Sequence, residues 1–119
     1  MRQWLLAFLL SVTQGTVAAQ ESVSQGTGVV LRGLDKVDGD IVDMSLSTDE
    51  SAEIGRLTVR LRECRYPQGT ATDAYAFLTI SDTPGDNVVF DGWMIASSPA
   101  LNALEHPRYD VWVLRCNSE

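Results

Sequence analysis

The clearest signal in the chain is strict alternation over Leu57-Thr58-Val59-Arg60-Leu61-Arg62, which puts three apolar side chains on one face and three polar ones on the other. A period of two marks a strand buried on one side, as in an antiparallel sheet. The same logic finds further strands. Val29-Val30-Leu31 opens an apolar segment, Asp38-Gly39 is a hairpin-type turn signal, and residues 41–46 follow as its partner strand. Residues 47–51 are polar and break the pattern. Residues 74–80 are apolar on both sides, which predicts a central strand. Thr83-Pro84-Gly85-Asp86 fits a type II turn with Gly85 at positive φ. Val88-Val89-Phe90 and Trp93-Met94-Ile95 read as one strand, with Asp91-Gly92 as the place for a bend or bulge. Residues 109–114 form the last strand. About six short strands separated by Gly/Pro turns predict an all-β domain over residues 29–117, a small antiparallel β-sandwich or barrel.

One segment departs from the β pattern. Ser98 is a helix N-cap residue, Pro99 suits the first helical position, Leu101 and Leu104 share a helical face, and Pro107 ends the run. His106 suits the C-terminal end of the helix dipole. These signals predict one short helix near residues 99–106, lying on the sheet.

The first residues belong to a different grammar. A basic start at Arg2, an apolar run over residues 4–10 and small residues at Val17-Ala18-Ala19 predict a secretory signal peptide over residues 1–19. The run is too short for a transmembrane anchor, which needs ~20 apolar residues. The absence of a cysteine near the cleavage point speaks against a lipid anchor. Residues 20–28 are polar and glycine-containing and read as a flexible N-terminal arm.

Composition narrows the function. Nine basic against sixteen acidic side chains give a formal charge of −7, which argues against nucleic acid as a partner. Removing a leader that contains Arg2 makes the remainder one unit more negative. Two cysteines and one histidine are too few for a Cys/His zinc site, and no cofactor pattern is present. In an exported chain, Cys64 and Cys116 read most simply as one disulfide. Two free thiols are the alternative, but neither cysteine has a CxxC partner or an adjacent histidine.

The run Gly92-Trp93-Met94-Ile95-Ala96-Ser97-Ser98-Pro99-Ala100-Leu101-Asn102-Ala103-Leu104-Glu105-His106-Pro107-Arg108-Tyr109-Asp110-Val111-Trp112, continuing to Cys116, resembles the C-terminal signature of an exported proteobacterial family classed as a domain of unknown function (DUF 2155). Gly33-Leu34-Asp35-Lys36-Val37, Gly55-Arg56-Leu57 and Glu63-Cys64-Arg65-Tyr66-Pro67 look like its other motifs. The resemblance implies an exported, periplasmic protein of a Gram-negative bacterium. It implies no particular activity.

Several side-chain groups bear on chemistry. A hydrolytic set would combine Ser97 or Ser98 with His106 and Asp110 or Asp91, but capping and strand-border roles account for the same residues, and no G-x-S-x-G elbow is present. No catalytic residue is therefore assigned. Asp35, Asp38, Asp40 and Asp43 cluster as cation ligands do, yet their spacing departs from the EF-hand series and suits solvated acids around a hairpin. No metal site is assigned. Arg56, Arg60 and Arg62 share one parity and could recognise an anion or pair with acids across the sheet. Cys64 shares that parity too, so either the disulfide lies off the core or a bulge near Glu63 resets the register. The large side chains Tyr75, Phe77, Trp93, Met94, Tyr109 and Trp112 are expected in the core.

These readings converge on a non-enzymatic domain that binds an envelope component or periplasmic protein partner. Its candidate surface is the loop Ala96, Ser97, Ser98 and Pro99 with Arg56, Arg60 and Arg62. The alternative is a small secreted inhibitor of a hydrolase, a lysozyme or a protease, that presents the same loop to a cleft.

Overall fold

A computed structural model describes residues 22–118. The expected signal peptide lies outside the described residues. In chain order the strands are β1 (Val23–Gln25), β2 (Gly28–Asp35), β3 (Ile41–Ser47), β4 (Ser51–Ile54), β5 (Leu57–Pro67), β6 (Tyr75–Asp82), β7 (Asn87–Ile95) and β8 (Tyr109–Asn117). The first sheet has the order β1-β5-β6-β7, with β4 also paired to β5, and the second has the order β3-β2-β8. All strand pairs are antiparallel. The two sheets share no hydrogen-bonded pair, so the domain is a sandwich and not a closed barrel.

The alternation seen in the sequence supplies the core. Leu57, Val59 and Leu61 of β5 face Ala76, Leu78 and Ile80 of β6 side by side, and the inner residues Val29, Leu31, Val111 and Val113 of the second sheet complete the cluster. β6 is central, as expected, lying between β5 and β7.

Three expectations change. The arm read over residues 20–28 contains a strand, since Val23, Ser24 and Gln25 pair with Pro67, Tyr66 and Arg65. Its side chains give no apolar signal; the open edge of the long β5 supplies the pairing. β4 uses the other half of the same edge, with Ile54 opposite Leu57 across a turn at Gly55. The helix expected near residues 99–106 is reduced to a single 3-10 turn, Pro99–Leu101, and Ser98 makes no side-chain capping bond. Asn102 is extended and its side-chain amide donates to the Trp93 carbonyl at 2.8 Å. Leu104 is buried while Leu101 is 74% exposed. A continuing helix would have put both on one face, so anchoring of Leu104 in the core outweighs the local capping signals.

Bulges settle two further points. Leu61 pairs with Leu78 and Glu63 with Phe77, so Arg62 is the extra residue and Cys64 turns inward to full burial. Of the two possibilities left by the arginine parity, the bulge is the one realised. It lets Cys64 of the first sheet reach Cys116 of the second, in a disulfide with Cα atoms 5.8 Å apart. In β7 the irregularity falls at Val89, because Ile80 pairs with Phe90 and Ser81 with Val88; Asp91 and Gly92 stay in register.

Candidate functional site

At one end of the sandwich, three of the segments that carry the family resemblance meet. Asp35 ends β2, Gly55-Arg56 forms the turn between β4 and β5, and His106 to Tyr109 lead into β8. Arg108 forks onto Asp35, with Nη2 donating to Oδ2 at 2.9 Å and Nε to both carboxylate oxygens at 3.2 Å. Lys36 Nζ donates to the His106 carbonyl at 2.6 Å. His106 Nδ1 accepts the backbone N–H groups of Arg108 and Tyr109 at 3.0 and 3.2 Å. Nε2 therefore carries the ring hydrogen and donates to Asp82 Oδ2, 2.8 Å away. The Tyr109 hydroxyl accepts the Arg56 N–H at 3.3 Å. This network ties β2, β6 and β8 together across both sheets.

The geometry decides what this end offers chemically. Both ring nitrogens of His106 are engaged, the carboxylate partner is Asp82 rather than Asp110 or Asp91, and neither Ser97 nor Ser98 bonds to the ring. The serine–histidine arrangement considered from sequence is not assembled. Three of the four aspartates of residues 35–43 are engaged by arginines, Asp35 and Asp38 by Arg108 and Asp43 by Arg32, while Asp40 is exposed. Among the described residues no group of three or more His, Cys, Asp or Glu is placed to hold a metal ion. Asp82 Oδ1 is buried without a hydrogen bond, and its nearest cation is the Arg56 Nε at 3.9 Å.

The Arg108 hydrogen bonds hold the Asp35 carboxyl down to about 2 from its ordinary 3.8, against the opposing effect of burial and helped by the amides of Val37 and Asp38. Asp82 and Asp43 are lowered as well, chiefly by His106 and Arg32. A carboxyl lowered by folding stabilises the folded state above its unfolded value, and that contribution is lost as pH falls through the folded value. Acid denaturation should therefore steepen between about pH 4 and pH 2. Replacing Asp35 with Asn should flatten that part of the stability–pH curve, measured by urea unfolding at each pH.

The candidate surface residues separate. Arg56 sits at the Asp82 end of the first sheet, whereas Ala96 donates its N–H to Ala74 at the opposite end. Arg60 lies 3.5 Å from Asp49. Arg62 donates to the Thr79 hydroxyl at 3.2 Å, which donates in turn to Asp91 at 2.8 Å. Ser97 and Pro99 are exposed, Ala96 and Ser98 partly buried.

A feature that sequence reasoning placed in the core lies instead on the outside of the first sheet. Met94 and Tyr109 are buried as expected, but Trp112 of β8 is only half-buried, and Tyr75, Phe77 and Trp93 point outward and share rows with Arg65, Glu63 and Ile95. Phe77 meets Trp93 edge to face with centroids 5.4 Å apart, and the Arg65 guanidinium lies 5.7 Å from the Trp93 ring centre. Tyr75 is 39% and Val23 56% exposed. Val23, Arg65, Tyr75 and Trp93 line a depression of about 240 Å³, and Arg62, Glu63, Phe77 and Asp91 line a neighbouring one of about 370 Å³. The sequence signal was present in β6, whose apolar residues occupy both faces; only the pairing shows that one face has no sheet over it.

The chain is thus a disulfide-linked, two-sheet antiparallel domain with an aromatic outer face. Residues 29–116 match the family described as "Uncharacterized protein conserved in bacteria (DUF2155)", and the chain belongs to that family. It is similar to the uncharacterized protein RP359 of Rickettsia prowazekii (strain Madrid E), 28% identical over 87 residues that cover 70% of this chain and 56% of that protein. The chain spans about half the length of that curated relative. No solved structure matches. Among the described residues no helix is long and apolar enough to cross a membrane.

Proposed function

We propose that the protein is an exported, periplasmic, non-enzymatic domain that binds a protein of the cell envelope through the outer face of the first sheet. Export rests on the leader pattern of residues 1–19, and the Cys64–Cys116 disulfide suits an oxidising compartment. The observation that carries the binding reading is the outward cluster of Tyr75, Phe77 and Trp93 with Arg65 stacked at its side. Trp, Tyr and Arg dominate the energetic centres of protein interfaces, and a small domain that leaves them outside its core forgoes burial it needs. Relative to the surface foreseen from sequence, Arg62 belongs to this face. Chemical cross-linking and capture from envelope extract tests the reading. The wild-type protein should retain a defined partner that Tyr75→Ser/Trp93→Ser loses; equal capture by both proteins would refute it.

One observation favours inhibition of a hydrolase as a second reading. Leu101 stands 74% exposed beside the Ala96–Pro99 loop, which is anchored by Asn102 and Leu104. Inhibition of a lysozyme or protease, lost in Leu101→Ser, would support it; a panel without inhibition would remove it.

A further inference from the structure

Arginine, carboxylate and aromatic ring come together twice in this molecule. Arg65 is bonded to Glu63 and lies against the Trp93 ring. Arg108 is bonded to Asp35 and lies 5.4 Å from the centre of the Tyr109 ring. Both trios share one logic. The carboxylate accepts the N–H groups and balances the charge, and the electron-rich face of the ring takes the flat side of the guanidinium.

A third carboxylate and ring stand together on β8. Asp110 and Trp112 alternate with the buried Val111 and so share the outward side of the strand, about 7 Å apart along it. Both are half-buried. With Val111 they form one wall of a groove of about 360 Å³, and Pro99, Ala100 and Ala103 form the other. Among the described residues the Asp110 carboxylate makes no ion pair, and no cation lies over the Trp112 ring. The nearby arginines are engaged elsewhere. Arg32, opposite Trp112 on β2, is drawn toward β3, where it holds Asp43 with bonds of 2.7 and 2.9 Å. Arg115, beyond the irregularity at Leu114, adds its charge to Asp43 as well. Arg108 is held by Asp35 and Asp38.

We propose that this groove receives an arginine side chain of a protein partner, which completes the third trio. Asp110 accepts the guanidinium N–H groups, Trp112 takes its flat face, and the alkyl stem lies along Pro99, Ala100 and Ala103. The lining favours such a guest. Asp110 and the Trp112 N–H are the only polar side-chain groups among the lining residues. A sugar would bring several hydroxyls that find no partner there, whereas an arginine brings one charged head and an apolar stem. Pro99, Ala100 and Ala103 are exposed, so the groove is open along the loop and a side chain can enter while its backbone stays outside. The formal charge of −7 favours encounter with a basic partner. The groove lies on the second sheet's strand β8 and does not depend on the aromatic face of the first sheet.

A capped tripeptide, acetyl-Ala-Arg-Ala-amide, titrated into the purified protein tests this, with the indole N–H signals of Trp93 and Trp112 followed by nuclear magnetic resonance. The Trp112 signal should shift and saturate with a Kd of about 1 mM, while that of Trp93 stays in place. Citrulline in place of arginine keeps the shape and removes the charge, and it should bind about tenfold more weakly. Asp110→Asn should weaken binding of the arginine peptide about tenfold as well. Ala103→Leu fills the groove from an exposed position and should abolish the shift. Near-UV circular dichroism confirms that each variant is folded. A Trp112 signal that does not move, citrulline binding equal to arginine, or undiminished binding by either folded variant would overturn the inference. Tighter binding of free arginine than of the capped peptide would also overturn it, since the groove would then serve a small molecule and not a protein partner.

Discussion

Replacing Cys64 and Cys116 together with alanine should lower the free energy of unfolding by about 4 kcal/mol, the chain-entropy value for a cross-link of this span. A domain this size has ~5–15 kcal/mol in total, so the loss is a large fraction of its stability. The melting temperature should fall on the order of 20 °C. The disulfide matters for more than loop entropy, because it joins β5 of one sheet to β8 of the other. Both cysteines are buried, and alanine avoids placing unpaired hydroxyls there. Guanidinium unfolding of oxidised, reduced and doubly substituted protein measures the effect. Reduced and substituted forms should behave alike. A change below about 1 kcal/mol would show that the sheets hold together without the link.

The second large effect is expected at Gly55. Its φ of +56° is a conformation that L side chains rarely adopt. A Cβ added there would also lie 2.3 Å from the hydroxyl oxygen of Tyr109, a residue only 3% exposed. Gly39 provides the control, with a φ of +79° and nothing within 4 Å of its virtual Cβ. Gly39→Ala should therefore cost only the backbone penalty, about 1–2 kcal/mol. Gly55→Ala should cost about 3 kcal/mol or more, since Tyr109 must move and loosen the bond to Arg56 and the packing on His106. Paired denaturant melts read the difference. Equal effects at the two glycines would mean that the end of the sandwich yields without resistance.

How far the sequence could be read depended on where each element takes its stability. The alternation of residues 57–61 was legible because burial of one face determines it, and the apolar β6 was legible as central for the same reason. The cysteine pairing followed from there being two. By contrast, β1 and β4 are short, and they exist because β5 is 11 residues long and offers an edge to both. Backbone pairing of that kind leaves little trace in side-chain pattern. The 99–106 segment carried genuine capping residues, but Asn102, Leu104 and His106 each found a tertiary partner that a helix would have denied them. His106 drew attention as the lone histidine, and its partner Asp82 lies 24 residues away, beyond any local motif. The aromatic face was hidden by a sound general rule, that large side chains are buried. That rule failed at Tyr75, Phe77 and Trp93, and at Trp112 beside Arg32 on the second sheet, because sheet pairing, not composition, decides which side of a strand is covered.

The claim that the first sheet's outer face is the partner surface is tested most directly by a photo-cross-linking residue placed at Tyr75 in living cells, with a second placed at Thr58 on the same sheet, away from the aromatic cluster. The Tyr75 probe should give one discrete adduct that disappears with Trp93→Ser, while the Thr58 probe gives none. No adduct at Tyr75, or the same adducts from both positions, would contradict the proposed surface.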